Sequence, residues 1–315
     1  MPSPRAPIVL LARQPDLAFR GHDATTLTRL RRGAYVISSD WEELFVETKL
    51  RTRVIAINRR QLGTGAAFAR TAALAIHGIP VYGQDDRVDV IVGGTCKRHN
   101  AHDVRRHHDP LPGDDVMLID GLRVTTLERT IYDVIRTGSL EAAVIAFDAA
   151  LRGVAWDDAT NTYDEVAAEA FRELIRQRVR AHPGARGIRQ ARFVVEFADG
   201  RAHSPGESLL RLRAWQTGLP EPLLQHRVEL GGGRYALLDA ALPTRRRWLE
   251  FDGDVKYTDD DMLVDGDLEA TLAAQEDRQT AIERVTGWRC DRVGWRHVST
   301  IDAFARFQRE VGLYP

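Results

Sequence analysis

One acid inside an apolar strand constrains this chain more than any other feature: Asp239 is flanked by Ala236-Leu237-Leu238 and Ala240-Ala241-Leu242. A carboxylate in such a run is costly to bury unless it is paired or bound to a cation. The surrounding segments restrict the answer further. A helix opened by Ser204-Pro205-Gly206-Glu207 precedes strand-like stretches at residues 225–230, 235–240 and 247–252. A helix over about 267–285, a strand at 288–293 and a helix over about 300–311 follow, in the order αβββαβα. Period-two alternation puts Asp239 on one face with Leu237 and Tyr235, and Glu250 with Asp252 on one face of the next strand. If those strands are neighbours, Asp239 and Glu250 converge as ligands for a hard divalent cation, Mg²⁺ or Mn²⁺. Such an ion polarises a phosphodiester and activates water near neutral pH. A lysine could orient the water or offset developing charge, and Lys256 is the only lysine of the following acidic stretch.

Several of these residues also have readings without a site. Glu207 fits as an acid accompanying the metal pair, and equally as the far half of a capping box with Ser204, with Pro205 at N1. Glu250 and Asp252 could flank a turn at Gly253. Residues 250–277 hold eleven Asp and Glu against one Lys, so this region repels a phosphate backbone unless a cation neutralises it. Arg245 and Arg246, with Arg247 in the turn before the Glu250 strand, are candidate DNA contacts, as is Arg278 of the Asp277-Arg278 pair. Polar turns and solvated helix faces account for the same arginines without a partner.

At the other end, residues 1–60 carry eleven Lys and Arg against six Asp and Glu, which suits phosphate. A short helix over 7–14 is expected, then a helix with Asp23 as N-cap and Gly33 as C′ residue, then a strand at 34–37. That is helix–turn–helix–wing spacing, and it makes Arg29, Arg31 and Arg32 candidate DNA contacts. Beyond an amphipathic helix over 40–57 come an Ala-rich helix over 65–77, strands near 88–92, 104–107, 116–119 and 122–125, and helices over 127–136, 139–151 and 163–181. Residues 182–187, His-Pro-Gly-Ala-Arg-Gly, read as a linker and a domain boundary. His99, His102, His107 and His108 read as solvated turn residues, since no acid or cysteine completes a ligand set.

Asp239, ten intervening residues and then Glu250-Phe251-Asp252-Gly253 resembles the PD-(D/E)XK nuclease superfamily. More narrowly it is similar to a bacterial domain of unknown function related to very-short-patch-repair endonucleases. Ser204-Pro205-Gly206-Glu207, Asp277-Arg278 and Gly287-Trp288-Arg289 fit in order and spacing. Asp252 stands where that superfamily carries lysine. Before Gly184, the chain resembles the regulatory part of AbiEi-type antitoxins of type IV toxin–antitoxin systems. The residues are Arg31-Arg32-Gly33-Ala34-Tyr35-Val36, Ala72 to Gly78, and Gly121-Leu122-Arg123-Val124-Thr125-Thr126-Leu127-Glu128-Arg129-Thr130 with Asp133. The resemblances imply an α/β chain, α+β overall. It comprises a small helical or winged-helix-like module over 1–50, an α+β domain over 51–183 and a restriction-endonuclease-like αβββαβ domain over 191–315.

The function they imply is a metal-dependent DNA endonuclease with Asp239, Glu250, Asp252, Lys256 and Glu207 in its site. The alternative is a non-enzymatic, antitoxin-like regulator that keeps an inactive nuclease fold, and a protein-interaction module is a third class. DNA and a cognate toxin or regulatory partner are the expected partners. Composition is that of a folded globular chain, 43% apolar and 28% charged. No stretch is long and apolar enough for a membrane span or a secretory signal, so a cytoplasmic location is expected. Cys96 and Cys290 have no metal-ligand or disulfide spacing and are expected to be inert.

Overall fold

The structure is a computed structural model that describes residues 10–11, 27–61, 65–83, 87–93, 101–253 and 268–314. Its architecture is mixed α/β, with several small sheets. The chain divides into two compact units: Met1–Ala146 with Ala170–Glu196, and Phe147–Glu169 with Phe197–Pro315. No helix among the described residues is long and apolar enough to cross a membrane.

In the first unit, β1 (Leu10–Leu11), β2 (Leu27–Arg31) and β3 (Ala34–Ile37) form a sheet in the order β1-β3-β2. This corrects the expected helices. Leu10 and Leu11 pair with Tyr35 and Ala34, and residues 27–37 are a hairpin rather than the end of a helix. Gly33 closes the hairpin at φ +75°, a backbone state that L side chains rarely adopt. The Leu27-Thr28-Arg29-Leu30-Arg31 stretch pairs with β3, with a bulge between Arg29 and Arg31, so the glycine is a hairpin turn and not a helix cap. Arg29 and Arg31 therefore lie on a strand and Arg32 in its turn, not on a recognition helix; Asp23 lies outside the described residues.

α1 (Ser38–Glu42) and α2 (Val46–Gln61) follow. Next come β4 (Ala67–Phe68), α3 (Arg70–His77), β5 (Val88–Ile91), β6 (Val104–His107), β7 (Val116–Ile119) and β8 (Leu122–Thr125), whose strands order as β6-β5-β4-β8-β7. The Ala-rich helix is shorter than expected because Ala67 and Phe68, both fully buried, serve as the central strand between β5 and β8. Leu50, Val54 and Ile57 of α2 close with Ala72, Ala73 and Ile76 of α3 over the sheet residues Phe68, Val88, Val90 and Val124 as one core. His107, expected in a solvated turn, instead sits on β6 with Nε2 2.7 Å from Oδ1 of the buried Asp89. His102 is exposed as expected, and His99 lies outside the described residues.

The helices α4 (Leu127–Thr137), α5 (Leu140–Ala155), α6 (Glu165–Ala181) and α7 (Ile188–Phe197) come next, with the short pair β9 (Trp156–Asp157) and β10 (Thr162–Tyr163) between α5 and α6. Thr126 caps α4, accepting from Arg129 N. Arg129 is buried and donates to Asp133 (2.8 Å) and Asp115 (2.6 Å), while Arg178 of α6 donates to Asp115 at 2.7 Å. The motif around Glu128-Arg129-Thr130 and Asp133 is thus a buried ion-pair frame.

The second unit takes the remainder of α5 from Phe147 onward, then α8 (Pro205–Gln216), β11 (Leu223–Gly231), β12 (Arg234–Leu242) and β13 (Arg247–Asp252). α9 (Leu268–Thr286), β14 (Arg289–Gly294), α10 (Trp295–Val298) and α11 (Ile301–Val311) complete it. Its sheet runs β11-β12-β13-β14, with β13 and β14 parallel and the other pairs antiparallel. A parallel pair needs a crossover, and α9 supplies it. Trp248, fully buried, packs with Val228, Leu238, Ala241 and Ile282 against the sheet.

Candidate metal centre

The register of β12 and β13 pairs Ala240 with Leu249, Ala241 with Trp248 and Leu242 with Arg247. The paired ladder ends there; its register continued by one step would set Asp239 opposite Glu250, and the two carboxyls are near enough to interact. Residues opposed in an antiparallel pair share a face, so the two acids converge, and alternation adds Asp252 to the same side. Asp239 Oδ2 accepts from Phe251 N at 2.8 Å. Burial, then the charges of Glu207 and Glu250, push the Asp239 carboxyl well above the ordinary carboxylate range. Among the described residues no group of three or more His, Cys, Asp or Glu side chains has the geometry to close around a metal. A pair of carboxylates with water is nonetheless a donor set that suits Mg²⁺, which keeps several waters and takes one or two carboxylates.

Glu207 makes one half of the expected capping box, its carboxylate turning to His203 N and Ser204 Oγ rather than to Ser204 N. Ser204 Oγ accepts from Glu207 N at 3.2 Å and donates to Oε1 at 3.0 Å, while His203 N donates to Oε2 at 2.9 Å. The same carboxyl is one of the two charges that raise Asp239. Burial in turn holds Glu207 above its ordinary value. Beside it, burial and then Arg152 push His203 down to about 4, so the ring is neutral at pH 7.

Two residues that sequence reading passed over build this corner. Gln225 falls between the pairs Leu224–Ala240 and His226–Leu238, opposite Asp239, with φ +48°. A non-glycine residue in that region costs about 1–3 kcal/mol and persists where its surroundings over-determine it. Its amide donates to Glu207 Oε2 at 3.1 Å. Gly206 is the second. A Cβ there would lie 2.0 Å from Phe251 Cε1, and Phe251 is itself buried and edge-on to Trp295 at 5.2 Å. Only a glycine lets the start of α8 approach β13 closely enough to bring Glu207 to the pair. Gly206→Ala is expected to cost about 1–3 kcal/mol through overpacking. Phe251→Leu should restore part of it, with urea unfolding as the measurement, and an undiminished midpoint in Gly206→Ala alone would refute the close-packing argument.

The remaining candidates separate. Glu250 Oε1 accepts from Trp248 Nε1 at 3.2 Å and from Arg278 Nη1 at 2.7 Å, and Arg278 Nη2 donates to Leu237 O at 2.6 Å. Arg278 thus meets Glu250 of the pair. Asp252 Oδ2 is 3.3 Å from Arg292 Nη1. Lys256 lies outside the described residues, as does the acidic run Asp259-Asp260-Asp261. Arg245 and Arg246 are exposed in the turn between β12 and β13. That turn is about 13 Å along the strands from the acids, at ~3.3 Å per residue. Arg247 is engaged with Asp291 and with Val311 O. Cys290 is pushed up to about 12 by burial and Glu250, so it stays a thiol; Cys96 lies outside the described residues.

No protein-family model matches the chain. Over 140 residues it is 32% identical to two proteins of Mycobacterium tuberculosis, the uncharacterized protein Rv2248 of strain H37Rv and the uncharacterized protein MT2308 of strain CDC 1551. The alignment covers 44% of this chain and 46% of each relative. The chain therefore spans about half the length of the curated relatives it matches. Neither relative brings an activity with it.

Proposed function

We propose that the second unit is a divalent-metal-dependent DNA endonuclease of PD-(D/E)XK type, similar to very-short-patch-repair endonucleases, and that the first unit is an AbiEi-like regulatory region. The observation that carries this reading is the interaction of the Asp239 and Glu250 carboxyls on the neighbouring strands β12 and β13. Asp239 and Glu250 would hold Mg²⁺ or Mn²⁺, which when bound supplies a Lewis acid at the scissile phosphate and lowers the pKa of water. Glu207, held by the Gln225 amide, lies beside Asp239 from the α8 side, and Phe251 N–H holds Asp239 Oδ2. Trp248 donates its indole N–H to Glu250. Lys256 keeps its proposed role in orienting the attacking water. Exposed Arg29 and Arg32 of the hairpin, the half-buried Arg31, and Arg245 and Arg246 are candidate contacts to backbone phosphate. DNA and a cognate toxin are the proposed partners.

One observation favours the non-enzymatic alternative: Arg278 already satisfies Glu250 at 2.7 Å. A cleavage assay decides between them. Supercoiled plasmid and branched DNA incubated with Mg²⁺ or Mn²⁺ are expected to be nicked, and EDTA is expected to stop the reaction. Retention of DNA in a mobility shift with no nicking under either metal would leave the regulator reading in its place.

A further inference from the structure

The carboxylate face has a charge problem that its known parts do not solve. Asp239, Glu250 and Asp252 together carry −3 when ionised, so one divalent ion leaves −1 before a phosphodiester brings its own −1. A backbone phosphate is repelled from that face unless fixed cations stand on it. Lysine is not available among the described residues of the second unit, because Lys256 is the only lysine of residues 147–169 and 197–315. Two arginines are available, Arg278 from α9 and Arg292 from β14.

Their contacts distinguish them. Arg278 is held by two short bonds, 2.7 Å to Glu250 and 2.6 Å to Leu237 O, so its fork is committed to the strands. Arg292 is register-paired with Glu250 across the parallel β13–β14 ladder and therefore shares its face. Its three contacts are all long: 3.3 Å to Asp252 Oδ2, 3.4 Å to Gln275 Oε1 and 3.5 Å to Gln279 Oε1. Its side chain is 41% exposed. Bonds near 3.4 Å are weak, whereas a guanidinium facing two phosphate oxygens makes short, charge-assisted, paired bonds. Exchanging the first set for the second is favourable and needs no movement of the strand.

We propose that Arg292 is the residue that takes a DNA backbone phosphate beside the Asp239–Glu250 pair, with Asp252, Gln275 and Gln279 aiming its guanidinium in the free protein. This rests on the nuclease reading and adds a phosphate-holding residue to it. The Arg292 guanidinium would hold and neutralise the phosphate, and a bound divalent ion would supply the Lewis acid.

The test uses the full chain and a duplex oligonucleotide. Affinity is read by anisotropy with Ca²⁺ over a salt series, and cleavage is read with Mg²⁺. Arg292→Ala is expected to lower the slope of log Kd against log salt by about 0.9, the contribution of one phosphate contact. It should also lower kcat by about 10²-fold, while calorimetric Mn²⁺ affinity stays within about twofold of wild type. Arg292→Lys should restore the slope and part of the rate. Arg289→Ala removes an exposed arginine from the other face of β14 and should leave both readouts unchanged. Unchanged slope and rate in Arg292→Ala, with wild type cleaving, overturns the assignment alone. Equal losses in Arg289→Ala overturn it too, since the effect is then one of general charge. If wild type neither cleaves nor binds Mn²⁺, the nuclease reading falls and the assignment with it. Should Arg292→Ala melt far below wild type, Arg292→Gln replaces it under the same criteria.

Discussion

Asp239→Asn is expected to abolish Mn²⁺ binding at the carboxylate pair, to slow metal-dependent DNA cleavage by about 10²–10³-fold, the scale for losing one stabiliser of transition-state charge, and yet to stabilise the metal-free protein. The third effect comes from the raised carboxyl. Burial, Glu207 and Glu250 all favour its neutral form. A group whose pKa is higher in the folded chain than in the unfolded one adds stability that is complete below the unfolded value, about 3.9 for Asp. That stability is lost as pH rises through the folded value. The metal-free wild type should therefore lose stability relative to Asp239→Asn over a pH range rising from about 4, and the difference curve isolates Asp239 from the other acids. A bound divalent ion reverses the sign by holding the ionised form. At 100 times its Kd it adds about 2.7 kcal/mol to wild type, and it should add nothing to Asp239→Asn. Melting in EDTA and in Mn²⁺ across that pH range measures both. A flat difference curve, or equal stabilisation of the two proteins by Mn²⁺, would mean that the pair is not a metal site.

Much of the second unit was legible because its segments carry their own punctuation. Ser204 and Pro205 open α8, the strand alternation around Asp239 and Glu250 survives into the register, and Gly287 and Gly294 bound β14. What was not legible depends on contacts between distant segments. Nothing local marks Gly206, whose need for a missing side chain is set by the ring of Phe251. Gln225 reads as an ordinary strand residue until its φ is known. Arg292 lacks any local mark as well, since its face is set by pairing with a strand some forty residues earlier. The hairpin at 27–37 was misread because Gly33 serves a turn as well as a helix end, and the i, i+3 spacing of Leu27 and Leu30 suits a helix although the strand pairs with a bulge between Arg29 and Arg31. Helix α7 was missed because the Pro-Gly-rich residues before it suggest a linker. Its spacing of Ile188, Ala191, Val194 and Val195 nevertheless describes one buried face.

Asp148 shows how far a lone acid in an apolar segment can be read. Like Asp239 it interrupts an apolar run, here the α5 residues Val144, Ile145, Ala146, Phe147, Ala150 and Leu151, all buried. The structure answers it with a fixed cation: Arg211 Nη2 lies 2.9 Å from Oδ1 and 3.0 Å from Oδ2, and both side chains are 1% exposed. Asp199 N also donates to Oδ1, and Arg211 Nη1 donates to Phe197 O while its guanidinium lies 4.0 Å from the Phe197 ring centroid. The pair thus ties α5, the turn before α8 and α8 itself together inside the second unit. Removing one partner of a buried pair leaves an uncompensated charge and costs about 3–5 kcal/mol, while replacing both by apolar residues of similar volume is often neutral or better. Asp148→Ala and Arg211→Met should each unfold the second unit at markedly lower urea, and Asp148→Leu with Arg211→Met should recover most of the loss. Tryptophan fluorescence reports on that unit, because Trp156, Trp215, Trp248, Trp288 and Trp295 all belong to it and only Trp41 lies in the other. Additive losses in the double variant would show that the two side chains act independently, and that the pair does not hold the helix carrying Glu207 in place.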